Sequence, residues 1–417
     1  MSTTPSHHTN SKDWFFESDF APSVDAFVDY LEQGRYAKTT TQKYIGGIAH
    51  FAQWTSQSHL SIDQLDDATV SKFLDDHLPH CDCPVSACRS YPDLRAACGH
   101  FLRILRNNGT IVEPVVASSP IEDELLRFDE YMRNVQGLAT KTRSGRVRIV
   151  RRLLQEQFVD RRVVISALQP ANVRAFITNQ LEQLGTISNA GALASALRAY
   201  FRYRTVCGDQ VHALIGVIAL PAHWGLASLP RSLTPDEIDR LLASFTSDLP
   251  SPRRGYAMVR CALDMGLRVS EVAKLSLSDI DWQAGTITLR GTKSRREDVM
   301  PLPVTTGQAI AEYLQFERPP TSNPAIFVRC LAPHDFPIGV DAVRRVVRDA
   351  YHRIGLTHTR THALRHTLAR QLLEQGSSLK EVADVLRHRS LNTSLIYAKL
   401  DSRRLLAVAL PWPGSAS

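Results

Sequence analysis

His362-Ala363-Leu364-Arg365-His366-Thr367-Leu368-Ala369-Arg370-Gln371-Leu372-Leu373-Glu374-Gln375-Gly376 decides how the C-terminal half is read. Leu364, Leu368 and Leu372 stripe one face of a helix, and Gly376 ends it. Ser378-x-x-Glu381 then caps the next helix. Downstream lie His388 and Tyr397. Upstream, Thr234-Pro235-Asp236-Glu237 combines an N-cap, a first-turn proline and a capping-box glutamate, opening a helix with Ile238, Leu241, Leu242 and Phe245 on one side. A second helix over about 253–265 is stopped by Gly266, immediately before Leu267-Arg268-Val269-Ser270-Glu271. Thr286-Ile287-Thr288-Leu289 alternates like a strand, turns near Gly291, and resumes over 299–302, with Lys293 beside the turn. This half reads as mostly helical with a small sheet.

The polar residues along that framework form a set with one chemistry in common. A phosphodiester under attack gathers negative charge on its non-bridging oxygens, and arginine stays ionised while donating two hydrogen bonds to a phosphate. Arg268 and Arg365 are the candidates. Tyr397 is the candidate nucleophile, although a free phenol with a pKa of about 10 holds little phenolate at neutral pH. Lys293 can protonate a leaving oxygen, while His362 and His388 can move protons or hydrogen-bond a phosphate. Singly, each has a plainer reading, such as a surface arginine or a helix tyrosine with its ring packed. Their joint occurrence in one order carries the argument, and it calls for no metal and no cofactor.

The N-terminal half repeats itself at roughly a hundred positions. Phe27, Tyr30 and Leu31 recur as Phe128, Tyr131 and Met132; Ile62, Leu65, Val70 and Phe73 recur as Ile165, Leu168, Val173 and Phe176; Leu102-Arg103 and Gly109 recur as Phe201-Arg202 and Gly208. Two similar helical modules are expected, over 23–112 and 121–210, after a flexible tail 1–22 that ends in Trp14, Phe15 and Phe16. Residues 113–120 read as a linker, and 209–232, with Pro221 and Pro230, as a second connection. The formal net charge of +7 in 417 residues favours a polyanionic partner. Lys141, Arg143, Arg146, Arg148, Arg151 and Arg152 are available for phosphates. The polar first residues do not look like a signal peptide, and the longest apolar run, Ala213 to Leu220, is too short to span a bilayer. Seven cysteines fit reduced thiols and a cytoplasmic location. Among them, Cys81, Cys83, Cys88 and Cys98 lie near His80 and His100. Cys81-x-Cys83 is tighter than the common zinc knuckle, so packed thiols are expected there rather than a metal.

The C-terminal set resembles the tyrosine recombinases, the phage-integrase family. Arg268 in Gly-Leu-Arg-Val-Ser-Glu looks like the family's first arginine box, and Lys293 like its hairpin lysine. His362-x-x-Arg365, continued by His366, matches the second box, while His388 and then Tyr397 fall at the usual steps. The likeness covers about residues 230–405. One departure is visible: the usual Leu-Gly-His reads Leu386-Arg387-His388. Glu271 looks like the acidic residue of the first box, supporting the site rather than reacting.

The resemblance implies two SAM-like core-binding modules followed by a catalytic domain over 229–405 and a tail over 406–417. It implies a 3′-phosphotyrosyl intermediate, double-stranded DNA recombination sites as partners, and a homotetramer or hetero-oligomer with related recombinases. The extra module favours a mobile-element integrase or transposase. A type IB topoisomerase, or an accessory DNA-binding protein without catalysis, are the competing readings.

Overall fold

The computed structural model describes residues 18–83, 88–111, 119–158, 162–184, 187–219, 231–290, 297–357, 359–388 and 395–398. Lys293, the aromatic cluster at 14–16, most of the 113–120 linker and the tail after 405 lie outside them. The chain divides into two compact units, residues 113–225 and the remainder. Among the described residues no helix is long and apolar enough to cross a membrane.

The first helical module consists of α1 (Val24–Gln33), α2 (Lys38–Gln57), α3 (Asp67–Lys72) and α4 (Tyr91–Asn107). A π-helical stretch, Phe73–His77, prolongs α3. Phe27, Leu31, Ile48, Phe51, Phe73, Leu94, Phe101 and Leu105 make its core. Phe20, expected in a flexible tail, is buried in that core with its ring against Phe51 and Phe101, so the module begins before residue 23.

The second module repeats the plan with α5 (Pro120–Asn134), α6 (Thr140–Gln157), α7 (Pro170–Leu184) and α8 (Ile187–Val206). Phe128, Met132, Val150, Leu153, Phe176, Leu197 and Tyr200 fill its centre. Equivalent short 3-10 turns, Ile62–Gln64 and Ile165–Ala167, precede α3 and α7. Gly109 and Gly208 end the last long helix of each module at positive φ. The connection expected over 209–232 is partly structured: α9 (His212–Gly216) brings Leu214, and the residues beside it bring Val211 and Ile218, onto the second core. Apolar surface that a short connection leaves facing the module is buried there.

The C-terminal region begins with α10 (Pro235–Ala243), whose predicted capping box is present: Glu237 N–H donates to Thr234 Oγ1 at 3.2 Å and Thr234 N–H to Glu237 Oε2 at 2.9 Å. Next come α11 (Pro252–Asp264), α12 (Val269–Val272), β1 (Ile280–Asp281), β2 (Thr286–Leu289) and β3 (Asp298–Pro301). The strands form an antiparallel sheet in the order β1-β2-β3, with Leu289 opposite Asp298. The segment bearing Lys293 joins that pair. Helices α13 (Val304–Phe316) and α14 (Val340–Arg353) follow. The last three are α15 (His362–Glu374), α16 (Leu379–Val385) and α17 (Leu395–Ala398). Helix α11 lies against α13, α14 and α15, and Ile287, Ile310, Tyr313, Val343 and Met258 share one core with it.

Candidate active site

Helix α15 presents Arg365, Ala369 and Leu373 at four-residue steps, with His366 next to Arg365 and three residues before Ala369, so polar chemistry and packing surface lie side by side. Ala369 and Leu373 meet Val382 and Leu386 of the α16 region, and the Tyr397 ring completes that small core. Tyr397 is thus seated by its ring, only 2% exposed. Its hydroxyl lies 2.8 Å from His366 Nδ1. The His388 ring runs parallel to the tyrosine ring, 6° apart in plane and 6.2 Å between centroids.

Arg365 is buried, and its guanidinium donates to two carbonyls, Gly266 O and Leu386 O. Those contacts tie α15 to the loop before Arg268 and to the turn before His388. Gly266 has φ +59°, and a Cβ there would come within 2.8 Å of Leu386 Cδ2 and 3.0 Å of Leu368 Cδ2. Only glycine satisfies both the backbone and the space.

Arg268 is the N-cap residue of α12. Its backbone N–H donates to Glu271 Oε2 at 2.9 Å and its Nη1 to Oε1 at 2.6 Å. Arg387 Nη2 donates to the same Glu271 Oε2 at 2.9 Å. Burial works to raise the Glu271 carboxyl, but the Arg268 backbone N–H and the Arg387 and Arg268 charges hold it below its usual range. Glu271 therefore stays ionised and orients both guanidinium groups.

Arg387 occupies the glycine position noted as a departure, and its φ of +54° is the conformation that glycine favours. The reason is a Schellman turn closing α16: Arg387 N–H donates to Asp384 O at 2.9 Å and His388 N–H to Ala383 O at 2.9 Å. The turn sets where His388 emerges, so the arginine preserves the backbone shape and adds a cation.

Two arginines thus pair with one carboxylate, and the Arg365 charge lies within reach of all three groups. Burial, then the charges of Arg268 and Arg387, pull the Arg365 pKa down to about 9. Burial, then Arg365 and Arg268, also hold His388 down to about 4. Burial raises the Tyr397 phenol, against the opposing pull of Arg365 and then Arg268. The tyrosine and both guanidinium groups share one electrostatic environment. An anion entering it meets uncompensated positive charge.

Of the residues expected from sequence, Arg268, Arg365, His388 and Tyr397 come together. His362, itself exposed, opens α15 with its ring 6.4 Å from that of His366 and within reach of the Arg365 and Arg268 charges. Lys293 lies outside the described residues. Sequence reasoning left His366 out of the site, although it lies one helical turn from His362 on the face of Arg365. It noted Arg387 only as a departure from the usual Leu-Gly-His.

A family model described as "Phage integrase family" matches residues 231–404. "Putative integrase/recombinase y4rA" of Sinorhizobium fredii (strain NBRC 101917 / NGR234) is 32% identical over 97% of this chain and 99% of its own length. The chain belongs to the tyrosine recombinase family. Two solved structures share its fold. XerH, bound to palindromic difH substrate in a post-cleavage complex, has a TM-score of 0.54 at 18% identity, covering 89% of this chain and 96% of that one. A lambda integrase tetramer bound to a Holliday junction has a TM-score of 0.52 at 17% identity, covering 79% and 89%. Tyrosine recombinase activity and DNA recombination follow for this member.

Proposed function

We propose that this recombinase breaks and rejoins DNA through a covalent bond between Tyr397 and a strand's 3′ phosphate, and that it integrates, excises or transposes a mobile element. The observation that carries the reading is the seating of the Tyr397 hydroxyl on His366 Nδ1 within the charge of Arg268 and Arg365. The phenol oxygen forms a bond to phosphorus as the bond from phosphorus to the 5′ oxygen breaks. Arg268 and Arg365 bind the non-bridging oxygens and offset their growing charge. Lys293 gives the departing 5′ oxygen its proton, with His362 and His388 as further donors to the phosphate.

In the DNA-free chain, burial and then His362 and Arg365 hold the His366 pKa down to about 4, so its imidazole is neutral at neutral pH. The tautomer protonated on Nε2 accepts the tyrosine proton at Nδ1. A phosphate set among the arginines offsets their charge and raises the affinity of His366 for that proton. The 5′ hydroxyl of a second strand then attacks the phosphotyrosine, returning the phenol. Each step exchanges one phosphoester bond for another, so no nucleotide is consumed.

The helical modules hold the duplex. The basic residues of α6 are unequal in this role: Arg143 is paired with Asp129 at 2.6 Å, and Arg151 grips both oxygens of Glu122 at 2.9 and 2.7 Å. Arg146, Arg198 and Arg202 line a surface depression with Gln136 and Ser195 and no carboxylate, which suits phosphate better. A tetramer on two sites is our reading of the assembly, supported by the fold shared with lambda integrase.

The test uses a duplex built from the sequences flanking the gene, nicked so that the cleaved fragment diffuses away. Wild type should accumulate covalent protein–DNA adduct, and Tyr397→Phe should bind the duplex and form none. Adduct persisting in Tyr397→Phe removes Tyr397 from the role. On a two-site plasmid, relaxed product without recombinants favours the topoisomerase reading instead.

A further inference from the structure

The first helical module holds a second cluster of reactive side chains, far along the sequence from the tyrosine pocket. His50, His77, Cys81 and Cys83 bring one ligand atom each to within 4.8 Å of all the others. Only Cys81 and Cys83 of this quartet belong to the cysteine-rich group visible in sequence. The other members of that group go elsewhere. Cys98 is buried in the module core, His100 sits between Tyr30 and Tyr36, and His80 Nδ1 faces Asp76 O.

The hydrogen bonds around His50 fix its chemistry. Its Nδ1 lies 2.8 Å from the Cys88 carbonyl oxygen. A carbonyl only accepts, so Nδ1 carries the proton and Nε2 presents a lone pair. That lone pair faces His77 Nε2 at 3.3 Å and Cys81 Sγ at 3.3 Å, while Cys83 Sγ lies 3.8 Å from His77 Nε2. A ring nitrogen bonded to a backbone carbonyl, with its partner nitrogen turned to a shared centre, is the outer-shell arrangement of metal-binding histidines.

The distances also fit one ion. Zinc–nitrogen bonds of about 2.0–2.1 Å and zinc–sulfur bonds of about 2.3 Å in a tetrahedron give edges of about 3.3 Å between nitrogens and about 3.6 Å between nitrogen and sulfur. The three closest separations, 3.3, 3.3 and 3.8 Å, fall around those edges, and the remaining ligand atoms lie within 4.8 Å of one another.

We infer that His50, His77, Cys81 and Cys83 form a closed tetrahedral site for zinc(II) that staples α2 to the segment following α3. Two thiolates and two neutral imidazoles would balance the charge of the ion. Four protein ligands leave no open position, so the role is structural rather than catalytic. Metal binding releases one proton from each thiol.

The repeated architecture supplies an internal control. The offset between equivalent residues is 103 at Phe73 and Phe176 but 99 at Leu102 and Phe201, so the first module carries four more residues between those points. Cys81 and Cys83 fall in that stretch. In the second module the positions answering to His50 and His77 are Arg152 and Gln180, joined by a hydrogen bond of 3.2 Å. A hydrogen bond from the Arg152 guanidinium to the Gln180 amide closes the module lacking the extra residues, and the metal would close the one that has them.

The full-length reduced chain should be stripped with a chelator, then reloaded with zinc or with cobalt(II). Wild type should retain about one zinc per chain after desalting, and cobalt should give the absorption of a tetrahedral thiolate complex. Cys81→Ser/Cys83→Ser and His77→Ala should each lose that spectrum and most of the bound metal. Cys88→Ser, outside the ligand set, should keep both. Circular dichroism of the stripped proteins separates ligand loss from misfolding, since each variant is compared with wild type in the same metal-free state. No stoichiometric metal on reduced wild type, or an unchanged cobalt spectrum in Cys81→Ser/Cys83→Ser, overturns the assignment and leaves four packed, hydrogen-bonded side chains.

Discussion

Two buried arginine clusters in this molecule have opposite electrostatics. In the second helical module, Glu124 is 1% exposed and accepts from Arg204 at 2.9 and 3.0 Å, from Arg127 at 3.2 Å and from the Tyr200 hydroxyl at 3.0 Å. Asp209 takes the remaining side of Arg204 at 2.6 Å. Two cations meet two carboxylates. Burial works against the Arg204 charge, yet Glu124, Tyr200 and Asp209 hold its pKa above the usual value. Around Tyr397, Arg268 and Arg387 share Glu271 while Arg365 donates to two backbone carbonyls, and the pKa of Arg365 falls. A satisfied cluster fastens helices together, whereas a cluster with surplus charge is completed by an anion from outside. The difference separates a structural arginine from a phosphate-binding one without reference to its exposure.

Glu124→Ala tests the first half of that contrast and should have the largest effect on folding. It strands Tyr200 and leaves Arg204 underpaired in the module core, and breaking a buried pair costs about 3–5 kcal/mol. Denaturant unfolding should report that loss, while cleavage per folded molecule stays near wild type. Stability close to wild type would show that the cluster is not holding the module.

Arg365→Ala tests the second half. Removing one preorganised donor should cut cleavage about a hundredfold or more, equivalent to about 2.7 kcal/mol of transition-state stabilisation. Stability should fall less than in Glu124→Ala, because repulsion with Arg268 and Arg387 leaves with the side chain. Single-turnover cleavage and unfolding of the same preparation measure both. A variant that unfolds like Glu124→Ala but cleaves normally when folded would make Arg365 another structural arginine.

What could be read from the sequence follows from how local each cause is. Capping boxes at Thr234 and Ser378 act within four residues, and both are present as predicted. The small sheet and the stripe of α15 follow from residue periodicity. His366 was harder to assign, because its partner Tyr397 is 31 positions away and nothing in the helix pattern separates it from a solvent-facing histidine. The metal quartet shows the same limit: His50 on α2 reaches Cys81, 31 positions away in the segment after α3, so no knuckle-like spacing announces it. Phe20 looked like part of a tail because one aromatic beside a polar leader has no periodicity to place it. Its burial depends on a gap between α2 and α4 that only the assembled module creates.

Arg387 sits where the contrast is finest, because it adds charge at the cost of backbone strain. An L-residue in the left-handed region costs about 1–2 kcal/mol, and the Glu271 ion pair at 2.9 Å offsets part of that. Comparing Arg387→Gly with Arg387→Ala separates the two contributions. Both lose the ion pair, but only glycine relaxes at φ +54°. Arg387→Gly should therefore be the more stable variant by about 1 kcal/mol in equilibrium unfolding. Both should cleave more slowly than wild type but faster than Arg365→Ala, since Glu271 still orients Arg268 and Arg365 is untouched. Equal stability of the two variants would mean that residue 387 does not hold the left-handed turn in solution. The placement of His388 would then need another cause, because the Schellman hydrogen bonds that set it depend on that conformation.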